Sequence, residues 1–163
     1  AHRTVIVKPR RGSCGKGVRK IMIDCQDDIG RWYSKIYTED VIVQEYLNQH
    51  PEMSAYHSES VNTIRITTVL TNNGLRIMNA ALRMGNRGEV IDNHAAGGML
   101  AAVDPETGIV FTPGVDKFSQ RYIKHPVTQR MIVGTRIPYW DEVKKLAREL
   151  ALCVPEVRML GET

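Results

Sequence analysis

Chemistry concentrates first in Val7-Lys-Pro-Arg-Arg-Gly-Ser-Cys-Gly-Lys-Gly-Val18, where glycines at 12, 15 and 17 remove side chains and let backbone N–H groups approach oxyanions. Basic residues around such a loop suit a small polyphosphate. The spacing is not a P-loop, because Gly15-Lys16 is followed by Gly17 instead of Ser or Thr. It is not G-x-G-x-x-G either, since Lys20 holds the last glycine position. Composition alone fits equally a glycine-rich hairpin that binds nothing. A second polar centre is Asn62-Thr-Ile-Arg-Ile-Thr-Thr, where strand alternation sends Asn62 and Arg65 to opposite faces. A third, Asp92-Asn93 with Gly97-Gly98, reads as a polar loop or a simple Asx-turn. His50, His57 and His94 show no metal-ligand spacing, and His125-Pro126 reads as a structural turn.

These groups need elements to hold them. Residues 4–8 and 18–23 are β-rich runs flanking the glycines, so residues 9–17 form the loop of a long hairpin. Residues 27–37 have weak helical character, 39–47 supply a β-branched strand, and 48–60 form a connection or short helix around Pro51. The alternation of residues 62–70 and 75–84 around Asn72-Asn-Gly74 predicts an antiparallel pair. Residues 89–98 are a loop, 99–103 a strand, and Asp104-Pro-Glu-Thr-Gly108 a turn from which residues 109–111 return. Residues 118–138 show no period. The clearest helix is 140–154, with Val143, Leu146, Ala147, Leu150, Ala151 and Val154 on its apolar stripe and Pro155 stopping it. The pattern is α+β, with mainly antiparallel sheets and packed helices.

Composition bounds the function. The 163 residues, 42% hydrophobic and 25% charged, suit one core of ordinary size that needs no disulfide framework. Three cysteines, Cys14, Cys25 and Cys153, contain no C-x-x-C pair, so a reducing, cytoplasmic setting is expected. No apolar run reaches about 18 residues, so no membrane span is expected. The net charge of +4 is local: Arg3, Lys8, Arg10, Arg11, Lys16, Arg19 and Lys20 fall in the first twenty residues, and the remainder is mildly acidic. A nucleic-acid module would need a broad positive face with interleaved aromatics, and residues 1–20 have no aromatic ring.

Seven segments in order resemble the sugar-transfer-associated ATP-grasp family, which serves cell-surface polysaccharide biosynthesis. They are Ile6-Val-Lys-Pro with Gly12-Ser-Cys-Gly-Lys-Gly-Val18, Ile42-Val-Gln-Glu-Tyr-Leu-Asn-Gln-His-Pro51, Ser60-Val-Asn-Thr-Ile-Arg-Ile66, Asp92-Asn-His-Ala-Ala-Gly-Gly98, Val103-Asp-Pro-Glu-Thr-Gly108, His125-Pro126 and Ile137-Pro-Tyr-Trp140. The resemblance implies a small subdomain at residues 1–47, a larger one at 48–163, and ATP with magnesium between them. It implies that Lys8 reaches the α- and β-phosphates while Gly12, Ser13, Gly15, Lys16 and Gly17 cover the β- and γ-phosphates. Gln44, Glu45 and Leu47 would form the adenine hinge through main-chain groups, and Glu52 would accept from the ribose hydroxyls. Arg65 would stabilise the γ-phosphate or the acyl-phosphate formed from it, which with Lys8 makes the catalytic pair. Asn62, Asp92 and Asn93 would contact substrate, although Asn62 alternatively holds the entry to its strand.

The activity so implied is ATP-dependent ligation of small-molecule carboxylate and amine acceptors, sugar-linked ones included, through an acyl-phosphate. Family members continue into a Gly-Trp-Asp segment and a strand bearing the Glu and Asn that hold magnesium, where this sequence reads Leu160-Gly-Glu-Thr163. The expectation is therefore an ATP-grasp unit incomplete at both ends, with its metal ligands unassigned. A catalytically inactive nucleotide-binding or scaffolding domain is the alternative.

Overall fold

The computed structural model describes residues 3–11, 15–86 and 97–163. The architecture is α+β, with antiparallel sheets and three helices among the described residues. The chain divides into two compact units, residues 1–48 and 49–163.

The first unit is a three-stranded antiparallel sheet. Strand β1 (Arg3–Pro9) lies between β2 (Arg19–Ile23) and β3 (Val41–Glu45), with α1 (Gln26–Ile36) between β2 and β3 in sequence. The hairpin turns back through positive φ at Gly15 (70°) and Gly17 (77°). A Cβ on Gly17 would lie 2.8 Å from the Pro9 ring, so glycine there lets the two arms of the hairpin close. Helix α1 begins with a capping box, in which Asp28 accepts from the backbone N–H of Asp24 and Cys25 at 3.0 and 3.2 Å. Those donors hold the Asp28 carboxyl below its ordinary range.

The second unit carries a six-stranded sheet of order β8-β7-β6-β5-β4-β9. Its centre is the hairpin of β4 (Thr63–Thr71) and β5 (Gly74–Met84), turned at Asn72-Asn73 with a bulge where β5 inserts Met78. Strand β6 (Met99–Val103) continues the sheet on one side, followed by two short strands, β7 (Gly114–Val115) and β8 (Arg121–Tyr122). On the other side β9 (Met159–Glu162) pairs with β4. Alternation buries Ile66, Thr68, Ala80, Leu82, Met84, Met99, Ala101 and Val103 on one face, and α3 (Trp140–Cys153) packs against the sheet. Under one end lie α2 (Pro51–Ser54) and Tyr56, whose hydroxyl donates to the Met131 carbonyl at 2.8 Å.

Several details depart from the sequence expectation. Helix α3 buries Trp140, Ala147 and Ala151, while Leu146, Leu150 and Val154 remain 56%, 44% and 46% exposed. The anticipated six-residue stripe is wider than the strip a helix presents to a sheet, and the small alanines mark the line of closest approach. Residues 109–111 make two isolated bridges, Val110 with Val103 and Ile109 with Arg136, instead of a strand. The Asp104 turn is an Asx-turn, its Oδ1 accepting from the Glu106 and Thr107 N–H, and it ends at Gly108 with φ of 72°. A Cβ at Gly108 would stand 2.3 Å from the Trp140 ring, so this glycine admits the indole that anchors α3.

Candidate functional site

Direct partners in an antiparallel ladder share a face, so the registers assign the polar groups of the first unit. Lys8 pairs with Ile42, Ile6 with Lys20 and Gln44, and Thr4 with Met22, which puts Lys8, Lys20 and Gln44 on one face. Val7 and Ile21, both buried, lie on the other. The basic cluster divides accordingly. Arg10 pairs with Asp40 at 3.6 Å and Arg19 is held by both oxygens of Glu39, whereas Lys8, Lys16 and Lys20 make no ion pair among the described residues. Lys20 lies over the Tyr46 ring, 4.5 Å from its centroid. Arg3 and Arg11 likewise make no ion pair among the described residues, so the uncompensated charge is shared between these two arginines and the lysines.

Strand β3 is the edge of this sheet. The Tyr46 N–H donates to the Thr4 carbonyl of β1 at 3.3 Å, and main-chain groups alternate in direction along a strand. Glu45 therefore turns its own N–H and C=O away from β1, off the sheet edge, where a planar heterocycle could find one donor and one acceptor. A cavity of about 650 Å³ adjoins this edge, lined by Arg3, Thr4, Val43, Gln44, Glu45 and Tyr46 among others. Lys8 does not line it.

In the second unit Arg65 pairs with Ala81 and Thr63 with Arg83, so both arginines share the face opposite the buried one, on a diagonal of the β4–β5 ladder. Arg65 is exposed and forms no hydrogen bond or ion pair among the described residues. Its guanidinium lies beside Gly161 of β9, where an added Cβ would be 3.6 Å away. Arg83 is the functional candidate missed by motif reading: unbroken alternation from the Asn72-Asn-Gly74 turn would set it opposite Asn62 and off the Arg65 face, and the bulge at Met78 is what brings the two arginines to one face.

Asn62, expected against substrate, is 5% exposed and fully engaged within the protein. Its Nδ2 donates to Gln49 Oε1 and to the carbonyls of Met53 and His57 at 2.9 to 3.1 Å, and its Oδ1 accepts from the Gly85 N–H at 3.0 Å. These contacts hold the entry to β4, with both Nδ2 hydrogens engaged and one bond accepted at Oδ1. Glu52 sits exposed in the first turn of α2, its backbone N–H bonded to His50 Nδ1. Gly12, Ser13, Asp92 and Asn93 lie outside the described residues.

The other buried histidines serve the same region. His57 Nδ1 accepts from the Ser60 N–H at 3.2 Å, and His125 Nε2 meets the Gly85 carbonyl at 2.8 Å. Burial pushes both imidazoles below their ordinary range. Glu162 faces the buried side with its partner Ile66, so it points away from Arg65. One of its oxygens lies 3.5 Å from the Thr68 hydroxyl, the other is buried without a partner among the described residues, and burial raises its pKa. No three carboxylates, imidazoles or thiols converge as a metal centre among the described residues, so these side chains do not by themselves fit a bound magnesium. No helix among them is long and apolar enough to cross a membrane.

The first unit thus holds a lysine-bearing sheet that leads into a glycine hairpin and an edge strand with outward main-chain groups, and the second a sheet with two arginines on one face. The family model for sugar-transfer associated ATP-grasp matches residues 1–162, and the chain belongs to that family. No curated protein and no solved structure matches it.

Proposed function

We propose that this domain binds ATP and uses it to ligate a carboxylate to an amine on a building block of a cell-surface polysaccharide. The reading is carried by one observation: in a chain matched end to end by the family, Lys8 and Arg65 point from open sheet faces with no charged partner among the described residues. An ammonium and a guanidinium left uncompensated are suited to a polyphosphate, which accepts charge-assisted hydrogen bonds from both. Lys8, with Gly15, Lys16 and Gly17 beyond it, serves the phosphates. The outward main-chain groups of Glu45 and Leu47 receive adenine, while the main chain of Gln44 is turned to β1 and leaves only its side chain to contribute, and Glu52 serves the ribose.

In the reaction a substrate carboxylate oxygen attacks the γ-phosphorus and ADP leaves. The amine then attacks the acyl carbon and inorganic phosphate leaves. Arg65 stabilises the negative charge shared between the phosphoryl oxygens in the first step, and Arg83 on the same face adds a second guanidinium. The described side chains offer no cluster to hold magnesium, so the phosphates of the nucleotide would supply most of its ligands.

Calorimetric titration of ATP with and without magnesium tests this. Lys8→Ala and Arg65→Ala should each weaken binding by about 1 to 3 kcal/mol, the range for a hydrogen bond to a charged group. Absence of ATP binding by the folded chain, or binding indifferent to both changes, overturns the reading. Binding without turnover across carboxylate and amine pairs would reduce it to a nucleotide-binding domain.

A further inference from the structure

We propose that His57 and His125 are positioning residues that act as an acid-sensitive clamp on the end of the β4–β5 hairpin bearing Arg65 and Arg83. The inference rests on the nucleotide reading for its consequence and on the hydrogen-bond geometry for its mechanism.

The clamp closes on Gly85. This residue stands two positions beyond Arg83, and its N–H donates to Asn62, the residue just before Thr63, which is the direct partner of Arg83. Its carbonyl bonds to His125 Nε2 at 2.8 Å. A Cβ on Gly85 would fall 2.1 Å from Ser60 Oγ and 2.7 Å from His57 Nδ1, so His57 and Ser60 press directly on this backbone. Both strands of the arginine-bearing ladder thus meet one buried knot at its open end.

The protonation states follow from the partners. The N–H groups of Val127 and Thr128 point at His125 Nδ1 at 3.4 and 3.3 Å, so that nitrogen is an acceptor and Nε2 carries the proton given to Gly85. The Ser60 N–H likewise makes His57 Nδ1 an acceptor, with Ser60 Oγ 3.0 Å away. Both rings must therefore be neutral. A proton added to either acceptor meets a backbone N–H that cannot turn away, and the ring centroids are only 6.5 Å apart, so charging one opposes charging the other.

Among the described residues the charged groups near the pair are Glu59, on the His57 loop, whose carboxylate favours protonation of His57, and Arg130, on the His125 turn, whose guanidinium lies 5.2 Å from the Tyr56 ring centroid. Asn62, at the entry to β4, and Gly85, at the exit of β5, contribute neutral groups. Acid should therefore open the knot while the apolar core of the sheet stays closed.

The test follows amide hydrogen exchange and ATP affinity in the whole chain from pH 7.5 to 5.5. Protection at the Ser60, Gly85 and Thr128 amides, corrected for intrinsic rates, should fall by about tenfold or more relative to Leu82 in the core of β5, as local opening requires. ATP affinity should fall with it. His57→Asn keeps an acceptor near Nδ1 and His125→Gln keeps a donor near Nε2, and neither side chain titrates. In the double variant the acid dependence of both readouts should be lost while ATP affinity at pH 7.5 is retained. Protection that persists to pH 5.5, that falls equally at Leu82, or that keeps its pH profile in the variant overturns the proposal. Should the double variant fail to fold, the wild-type comparison with Leu82 and the titration of each imidazole by NMR still decide it. If ATP does not bind at pH 7.5 the nucleotide reading falls, and the exchange measurement judges the clamp separately.

Discussion

Among the described residues of the first unit only Val7 and Ile21 are buried hydrophobics, whereas the second unit packs a cluster from Met53 to Ala147 that includes Tyr56, Leu82, Met84, Met99, Ile132 and Trp140. Helix α1 buries no residue, and Ile29, Tyr33 and Tyr37 along it are 47%, 67% and 65% exposed. The second unit adds a buried polar network about Asn62, while the first holds its charged groups on a thin sheet. Under the proposed function the difference separates two ways of presenting a cation to a phosphate. Arg65 and Arg83 stand on a sheet backed by the larger core. Lys8 stands on a sheet whose own apolar burial contributes little, so a bound ligand would supply more of its order.

The sharpest way to break the contrast is to damage the larger core. Trp140→Ala removes a nearly buried indole and its hydrogen bond to the Pro105 carbonyl, and should cost about 3 to 5 kcal/mol in urea denaturation. Next, Asn62→Ala leaves the Gly85 N–H and the Met53 carbonyl without this partner, and a loss of about 2 to 3 kcal/mol is expected from the same measurement. Val7→Ala should cost roughly 1 to 2 kcal/mol, with exchange protection lost in β1 to β3 and retained in β4 to β6. Equal loss in both units would show that the first does not rely on its own small core.

A smaller effect should appear with acid. His57 and His125 titrate below their ordinary 6.5 when folded, so the unfolded chain takes up protons first as pH falls. Their contribution is intact above about pH 6.5 and is lost as pH drops through the folded values, which a series of denaturation midpoints would reveal. The smallest change tests the surface. Glu149→Ala removes an exposed pair with Lys145 at 3.9 Å and should shift stability by less than about 0.5 kcal/mol.

Much of the frame was legible because it is written locally. The two hairpins, the helix at residues 140–153 and the outward turn of Arg65 all follow from side-chain period and turn chemistry within a few residues. The family resemblance was legible for a similar reason, since its motifs are short runs whose order survives without coordinates. The role of Asn62 was open between substrate contact and strand entry, because the donors and acceptors that occupy it come from residues 49, 53, 57 and 85.

What the sequence determined by itself is the α+β character, the family, and the placing of a lysine and glycines at a hairpin and an arginine on the outward face of a strand. Only tertiary structure decided that β9 closes onto β4 with Glu162 turned to the buried side, that α3 packs along its alanines, and that Arg83 joins Arg65 through a ladder whose far end is knotted at Gly85. The physical reason is range. Period and turn geometry act between neighbours in the chain, whereas Thr68 meets Glu162 across 94 residues and His125 meets Gly85 across 40, contacts that exist only after the intervening chain has paid its loop-closure entropy.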